Sequence, residues 1–159
     1  MKNTTFNDEL KVGYPEGFHI MDEEELSAMS FTEKGPTLCL KDPARHMIVS
    51  IGRKDIPGFS ALMLNRKNIA INAEEYVRKA NSNFGYRPGE FFERNIGNDN
   101  AYGFSYSYEA QGIPMYAECF AVKKKNKIYY YNLYIREEEK EKNLQVWDEM
   151  LSSVSDCMD

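Results

Sequence analysis

FERNIGND (92–99), AYGFSYSYEA (101–110), MYAECFAVKK (115–124) and KIYYYNLYIR (127–136) decide the fold class. They hold a large share of the chain's 11 tyrosines, spaced two apart and broken by turn residues. A period of two is that of an extended strand whose side chains alternate between two faces. Four such runs in succession, joined by short links, predict an antiparallel sheet with one aromatic face. No segment of the chain carries a catalytic or cofactor motif, so these runs set an architecture and name no reaction.

Turn chemistry sets the register. The second and third runs are linked by Ala110-Gln111-Gly112. A two-residue Gln-Gly turn of the I′ type forces Gln111 to positive φ, at a cost of about 1 kcal/mol. A three-residue loop with Gly112 alone in the left-handed region avoids that strain and is the expectation. It sets Glu109 opposite Ile113, Tyr106 opposite Tyr116 and Phe104 opposite Glu118. The next hairpin, tipped at Lys125-Asn126, sets Phe120 opposite Tyr131 and Glu118 opposite Leu133. One face then collects Tyr102, Phe104, Tyr106, Tyr108, Tyr116, Phe120, Val122, Tyr129, Tyr131, Leu133 and Ile135. The other holds Gly103, Ser105, Ser107, Ala117, Cys119 and Ala121, with Tyr130, Asn132 and Tyr134. That second face is small enough for a helix to approach, so helices are expected on both sides of the sheet. A slip of one residue in the first hairpin exchanges these neighbours.

The helices have their own punctuation. Asp22 is placed to cap a first helix, with Glu25 three positions later completing a capping box and Met21 and Leu26 forming a staple. Glu23 and Glu24 fill its first turn, where the helix dipole favours negative charge. Four acids together are read as a well-capped start rather than a cation site. Asn72, Glu75, Ile71 and Tyr76 repeat the arrangement for a second helix. Its apolar face is Ala73, Tyr76, Val77, Ala80 and Phe84, and Gly85 closes it. A final helix over 138–154 carries Leu144, Trp147, Leu151 and Val154 at steps of three and four, widened by Val146 and Met150. Trp147, the only tryptophan, is expected in the core against the sheet. Strands are predicted at 10–14, 37–41 and 47–52. The stretch 56–71 is assigned no element.

A chain of 159 residues fits one domain with a single core. Its 20 basic and 25 acidic residues leave a net charge of −5, without the basic stripe of a nucleic-acid binder. The one basic run, KKKNK at 123–127, is read as a solvated hairpin tip. Cys39, Cys119 and Cys157 are far apart and odd in number, with no CxxC or metal spacing, so neither a disulfide framework nor a zinc site is expected. MKNTTFNDEL lacks the apolar run of a signal peptide, and nowhere do about eighteen apolar residues follow one another. The chain as given is therefore expected to be soluble and cytoplasmic, with no membrane span.

Glu118 is the odd residue on the aromatic face. A carboxylate there must be hydrogen-bonded, paired, or kept protonated by a raised pKa. One reading makes it a polar anchor or general base in a tyrosine-lined pocket with Tyr106 and Tyr116. The other makes it a structural carboxylate satisfied by tyrosine hydroxyls or by an arginine such as Arg94. His19 and His46 stand singly beside turn residues, and Gly85, Gly89, Gly97 and Gly103 form no phosphate loop. No catalytic residue, metal site or cofactor is assigned.

The order of elements resembles the PsbP-like superfamily, which includes the Ran-binding Mog protein and PsbP of photosystem II. The resemblance rests on YPEGF (14–18) after an opening strand, on a mid-chain helix of the NAEEYVRKA kind, and on KIYYYNLYI leading to VWDEMLSSV. It spans nearly the whole chain and implies an α+β fold, a mainly antiparallel sheet with helices on both faces. It also implies a binding or assembly factor rather than an enzyme, although no Ran-binding or photosystem-binding residue can be matched here. The expected function is thus a non-catalytic module that contacts another protein, with no cofactor and no nucleic acid. The alternative is a small-molecule binder or simple enzyme, its pocket between residues 56–71 and the aromatic face near Glu118.

Overall fold

The computed structural model describes residues 1–28 and 35–157. In chain order these form β1 (Lys2–Phe6), β2 (Leu10–Tyr14), β3 (His19–Ile20), α1 (Glu23–Ala28), β4 (Thr37–Asp42), β5 (Met47–Asp55), α2 (Gly58–Met63) and α3 (Arg66–Ala80). Then follow β6 (Arg87–Ile96), β7 (Asp99–Ala110), β8 (Ile113–Lys124), β9 (Lys127–Arg136), a 3₁₀ turn at Glu137–Glu139, α4 (Lys140–Ser152) and β10 (Ser155–Asp156). One sheet has seven strands in the order β3-β4-β5-β9-β8-β7-β6, and β1, β2 and β10 make a second of three. The four tyrosine-rich runs are β6 to β9, a continuous antiparallel meander as their alternation predicts. β1, β3 and β10 have no counterpart in the sequence reading.

The β7–β8 register differs from the expectation by one residue. Gln111 and Gly112 both have positive φ, 52° and 80°, so the turn is the strained two-residue one. Ala110 now pairs with Ile113, Tyr106 with Ala117, Phe104 with Cys119, and Ser105 with Glu118. Volume explains why the strain is accepted. In the expected register, large residues faced large ones on one side of the sheet and small faced small on the other. In the observed register large meets small at most positions, Tyr102 with Ala121, Gly103 with Phe120 and Ser107 with Tyr116, the exception being Tyr108 with Met115. Gly103 is required there, because a Cβ would run into Cys119 backbone and the Phe120 ring. Even filling on both faces is worth more than about 1 kcal/mol of turn strain. The β8–β9 hairpin keeps the expected register, with Phe120 opposite Tyr131 and Glu118 opposite Leu133.

Tyr102, Phe104, Tyr106 and Tyr108 therefore leave the face that holds Phe120 and Leu133. Phe104 and Tyr106 pack with Ala117 and Cys119 beneath Ala73 and Val77 of α3. On the opposite face Trp147, Met150 and Leu151 of α4 and Val154 just beyond it join Phe120, Val122, Tyr131, Leu133 and Ile135. Phe6, Leu10 and Val12 from the small sheet complete that core. Helices cover both faces, as expected, but with the aromatics shared between them.

One helix starts where its punctuation predicts and another does not. α1 has its capping box: Glu25 N–H donates to Asp22 Oδ1 at 2.8 Å and Asp22 N–H to Glu25 Oε1 at 3.3 Å. α3 begins earlier than the Asn72 start expected. Asn65 caps it, its side chain accepting from Asn68 N–H at 2.9 Å, and Asn72 lies within the helix. The extra turns bury Ile69 and Ala70, whereas Tyr76 and, beyond the helix, Phe84 stay exposed. The 56–71 stretch is helical nearly throughout, α2 and the first part of α3.

Candidate functional site

Even-numbered positions of β8 face α4, and Glu118 is the polar member of that row. It is 4% exposed, and Trp147 of α4 is fully buried beside it. Trp147 Nε1–H donates to Glu118 Oε1 at 2.9 Å, and Tyr116 O–H donates to Oε2 at 2.6 Å. Burial raises the Glu118 pKa above its ordinary value, and the two donors together with the nearby Arg94 charge pull it back in part. Arg94 itself pairs with Asp148 at 3.0 Å and lies over the Phe120 ring, 5.5 Å from its centroid. Burial and the Glu118 carboxylate push the Tyr116 hydroxyl upward, and Lys140 Nζ sits 4.1 Å from the centre of the Tyr116 ring.

The three candidate site residues are thus divided. Glu118 and Tyr116 meet; Tyr106 does not join them. It packs on the other face against the tilted rings of Tyr86 at 5.5 Å and of Phe104 and Tyr108 at 5.8 Å each. The one-residue register change is the cause. Residues 56–71 also pack on the face away from Glu118, so the two share no pocket wall. Two surface hollows lie elsewhere, beside Met1, Asp148 and Ser153 and along Glu138, Glu141 and Gln145. Glu118 lines neither. Chemically, the arrangement is a carboxylate with both oxygens engaged by donors from the sheet and α4. It fastens a helix to a sheet and has no open side for a substrate.

Of the other reactive types, Cys157 is exposed at the surface, and the rest are buried or paired. Cys39 is buried, its thiol pushed up to about 12 by desolvation, and behaves as an apolar residue. His19 and His46 face Glu25 at 2.9 Å and Glu139 at 2.6 Å on the surface. Among the described residues no three His, Cys, Asp or Glu side chains are grouped to hold a metal ion. No helix of the described residues is long and apolar enough to cross a membrane.

A different feature was missed in the sequence. α2 turns its large apolar side chains outward: Phe59 is 83% exposed, Leu62 86% and Met63 76%. Only Ala61 points in, against Ile56, Ile69, Ala121 and Ile128. The helix is held there by Lys123, whose ammonium donates to the Ala61 and Leu64 carbonyls, the latter at 2.7 Å. Lys124 likewise bridges Asp99 at 2.8 Å and Asp156 at 2.5 Å, so of the basic run only its tip at Lys125 and Asn126 is openly solvated. The spacing of Phe59, Leu62 and Met63 is the signal that was present. It marks one face of a helix, but spacing alone does not say whether that face points in or out.

No protein-family model matches the sequence, and no curated protein matches it. Solved structures do match. The cyanobacterial PsbP (CyanoP) from Synechocystis sp. PCC 6803 superposes with a TM-score of 0.70 at 14% identity, covering 98% of this chain and 91% of its own. The Ran-binding protein Mog1p of Saccharomyces cerevisiae gives 0.60 at 8% identity, covering 98% and 95%. The T6SS immunity protein TplEi of Pseudomonas aeruginosa gives 0.52 at 13% identity, covering 76% of this chain and 43% of that one. The chain has the PsbP/Mog1-like α+β fold, and the resemblance read from YPEGF and the C-terminal strand and helix holds at that level.

Proposed function

We propose that this chain is a non-catalytic protein-binding module whose contact surface is centred on α2. The observation that carries the reading is the exposure of Phe59, Leu62 and Met63 on one short helix. Burying three such side chains at a contact is favourable by roughly 1.5–3 kcal/mol each, whereas leaving them in water gives the isolated fold nothing. The relative described as Ran-binding is a protein binder on the same fold, which agrees with the reading without transferring its partner. Glu118, with both oxygens satisfied, serves the scaffold on this view.

The test is affinity capture with the wild-type chain and with a Phe59→Ser/Leu62→Ser variant, followed by titration of the purified captured protein against both. The variant is expected to keep its unfolding midpoint and to lose most of the affinity. Equal affinity of both chains for the same partner would remove α2 as the contact surface.

A further inference from the structure

We infer that the partner of α2 is a protein surface with an apolar groove rimmed by Asp and Glu; the inference rests on the binding role proposed above. Two segments frame the exposed helix, 53–68, which contains it, and 121–128, whose Lys123 holds its carbonyls. Together they contain eight basic residues (Arg53, Lys54, Arg66, Lys67, Lys123, Lys124, Lys125, Lys127) and one acid, Asp55. That is +8 − 1 = +7 within a chain of net −5, which leaves −5 − 7 = −12 for the rest. Counted by segment, positive charge gathers around a helix that presents large apolar side chains to water.

Not all of it is spent internally. Arg53 pairs with Glu9 and Asp55, Arg66 with Glu93, Lys124 with Asp99 and Asp156, and Lys127 with Glu9. Lys54, Lys67 and Lys125 are exposed and have no acidic partner among the described residues; Lys67 lies over the Tyr102 ring at 5.7 Å. Lys54 follows the same alternation in β5 as Ile56, which packs against Ala61, so it stands on the side of the sheet that α2 covers. Lys67 opens α3 just after α2, and Lys125 is the adjoining hairpin tip, since Ile56 N–H donates to Asn126 carbonyl. Three unneutralised ammonium groups around three exposed apolar side chains match an apolar groove with a carboxylate rim. A free anionic bilayer would also attract lysines. However, the net charge of −5 weighs against a broad anionic plane, and the vesicle measurement below separates the two.

The test selects peptides from a random-sequence phage library on the immobilised wild-type chain, then measures a synthetic copy of the enriched sequence. Three proteins are compared: wild type, Phe59→Ser/Leu62→Ser, and Lys54→Glu/Lys67→Glu/Lys125→Glu. Unfolding midpoints are recorded for each, and phosphatidylglycerol vesicles are tested by co-sedimentation. The expected result is enrichment of apolar residues interleaved with Asp and Glu. Binding should be lost in the serine variant, weakened by about tenfold or more in the charge-reversed variant, and reduced by added salt. Enriched peptides that need Phe59 and Leu62 but are neutral or basic, and ignore the lysine changes, would overturn the acidic rim and leave the binding role standing. Peptides indifferent to Phe59 and Leu62, or no enrichment at all, would overturn both. Vesicle binding that depends on α2, without peptide binding, would overturn the protein partner in favour of a lipid surface.

Discussion

The two faces of the seven-stranded sheet use the same strands for opposite purposes. Under α4 the surface is closed: Trp147 is fully buried, and the Glu118 carboxylate is held by a donor from the helix and a donor from the strand. Under α3 the tyrosine cluster is equally well packed, but the neighbouring α2 leaves Phe59, Leu62 and Met63 in water. One face hides a polar group among apolar ones; the other displays apolar groups among lysines. Because residues alternate along each strand, changes on one side need not disturb the other. Stability and recognition are therefore separable by mutation.

The largest effect should come from the closed face. Trp147→Ala removes a fully buried indole and leaves a Glu118 oxygen without its donor, and should cost about 3–5 kcal/mol, a large part of a typical domain's stability. Trp147→Phe keeps much of the packing but loses the N–H and part of the ring volume, so about 1–3 kcal/mol is expected. On the open face Leu62→Ser should shift the urea midpoint by no more than about 0.5 kcal/mol in equivalent stability. An unchanged midpoint for Trp147→Ala, or a collapse for Leu62→Ser, would break the contrast between the faces.

A second test uses two carboxylates of opposite sign. Glu118 is buried with a raised pKa, so the folded state favours its proton. Its contribution is fully present below the ordinary value of 4.5 and is lost as pH rises through the elevated folded value. Glu9 is the reverse case. Burial pushes it up, but hydrogen bonds from Tyr129, Asn7, Lys127 and Arg53 overcome that and bring it to about 2. Its stabilisation is present above 4.5 and is lost as pH falls toward about 2. Urea titrations across pH should therefore give opposite slopes for the two differences, wild type minus Glu118→Gln and wild type minus Glu9→Gln. At neutral pH Glu118→Gln should be mild, because the amide oxygen still accepts from Trp147. Parallel slopes would show that Glu118 is not desolvated as its burial implies.

Most of this architecture was legible because long alternating runs and helix caps are local signals. The meander from β6 to β9, the Asp22–Glu25 box and the burial of Trp147 all follow from residues close in sequence. What failed depended on partners far away. Asn72 has the residues of a helix start around it, and burial of Ile69 and Ala70 by the earlier turns favours Asn65 instead. The outward turn of α2 goes with the packing of Ala61 on Ala121 and Ile128, partners far away in sequence. For the candidate site, Glu118 with Tyr116 was readable from their same-face spacing on one strand. Tyr106 was misplaced because it sits across a hairpin whose register no single strand specifies. β1, β3 and β10 were missed for a related reason: two are only two residues long, and β1 (KNTTF) is largely polar.

The smallest expected gain in stability probes the turn that assigns residues to faces. Gln111 carries φ 52° in a two-residue turn with Gly112, a conformation that costs an ordinary side chain about 1 kcal/mol and that Asn adopts more easily. Gln111→Asn should therefore raise stability by about 0.5–1 kcal/mol without altering any contact on either face. A three-residue loop would hold Gln111 at negative φ, and Asn there would give no gain. The pairing can be read separately by NMR: Ser105 should show cross-strand contacts to Glu118, and Tyr106 to Ala117. Contacts from Tyr106 to Tyr116 instead would return the tyrosines to the α4 side and end the division of the two faces. A stability gain in Gln111→Asn with the Tyr106–Ala117 contact retained would show that the strand volumes, rather than the turn, choose the register. The turn merely bears the strain that this choice imposes.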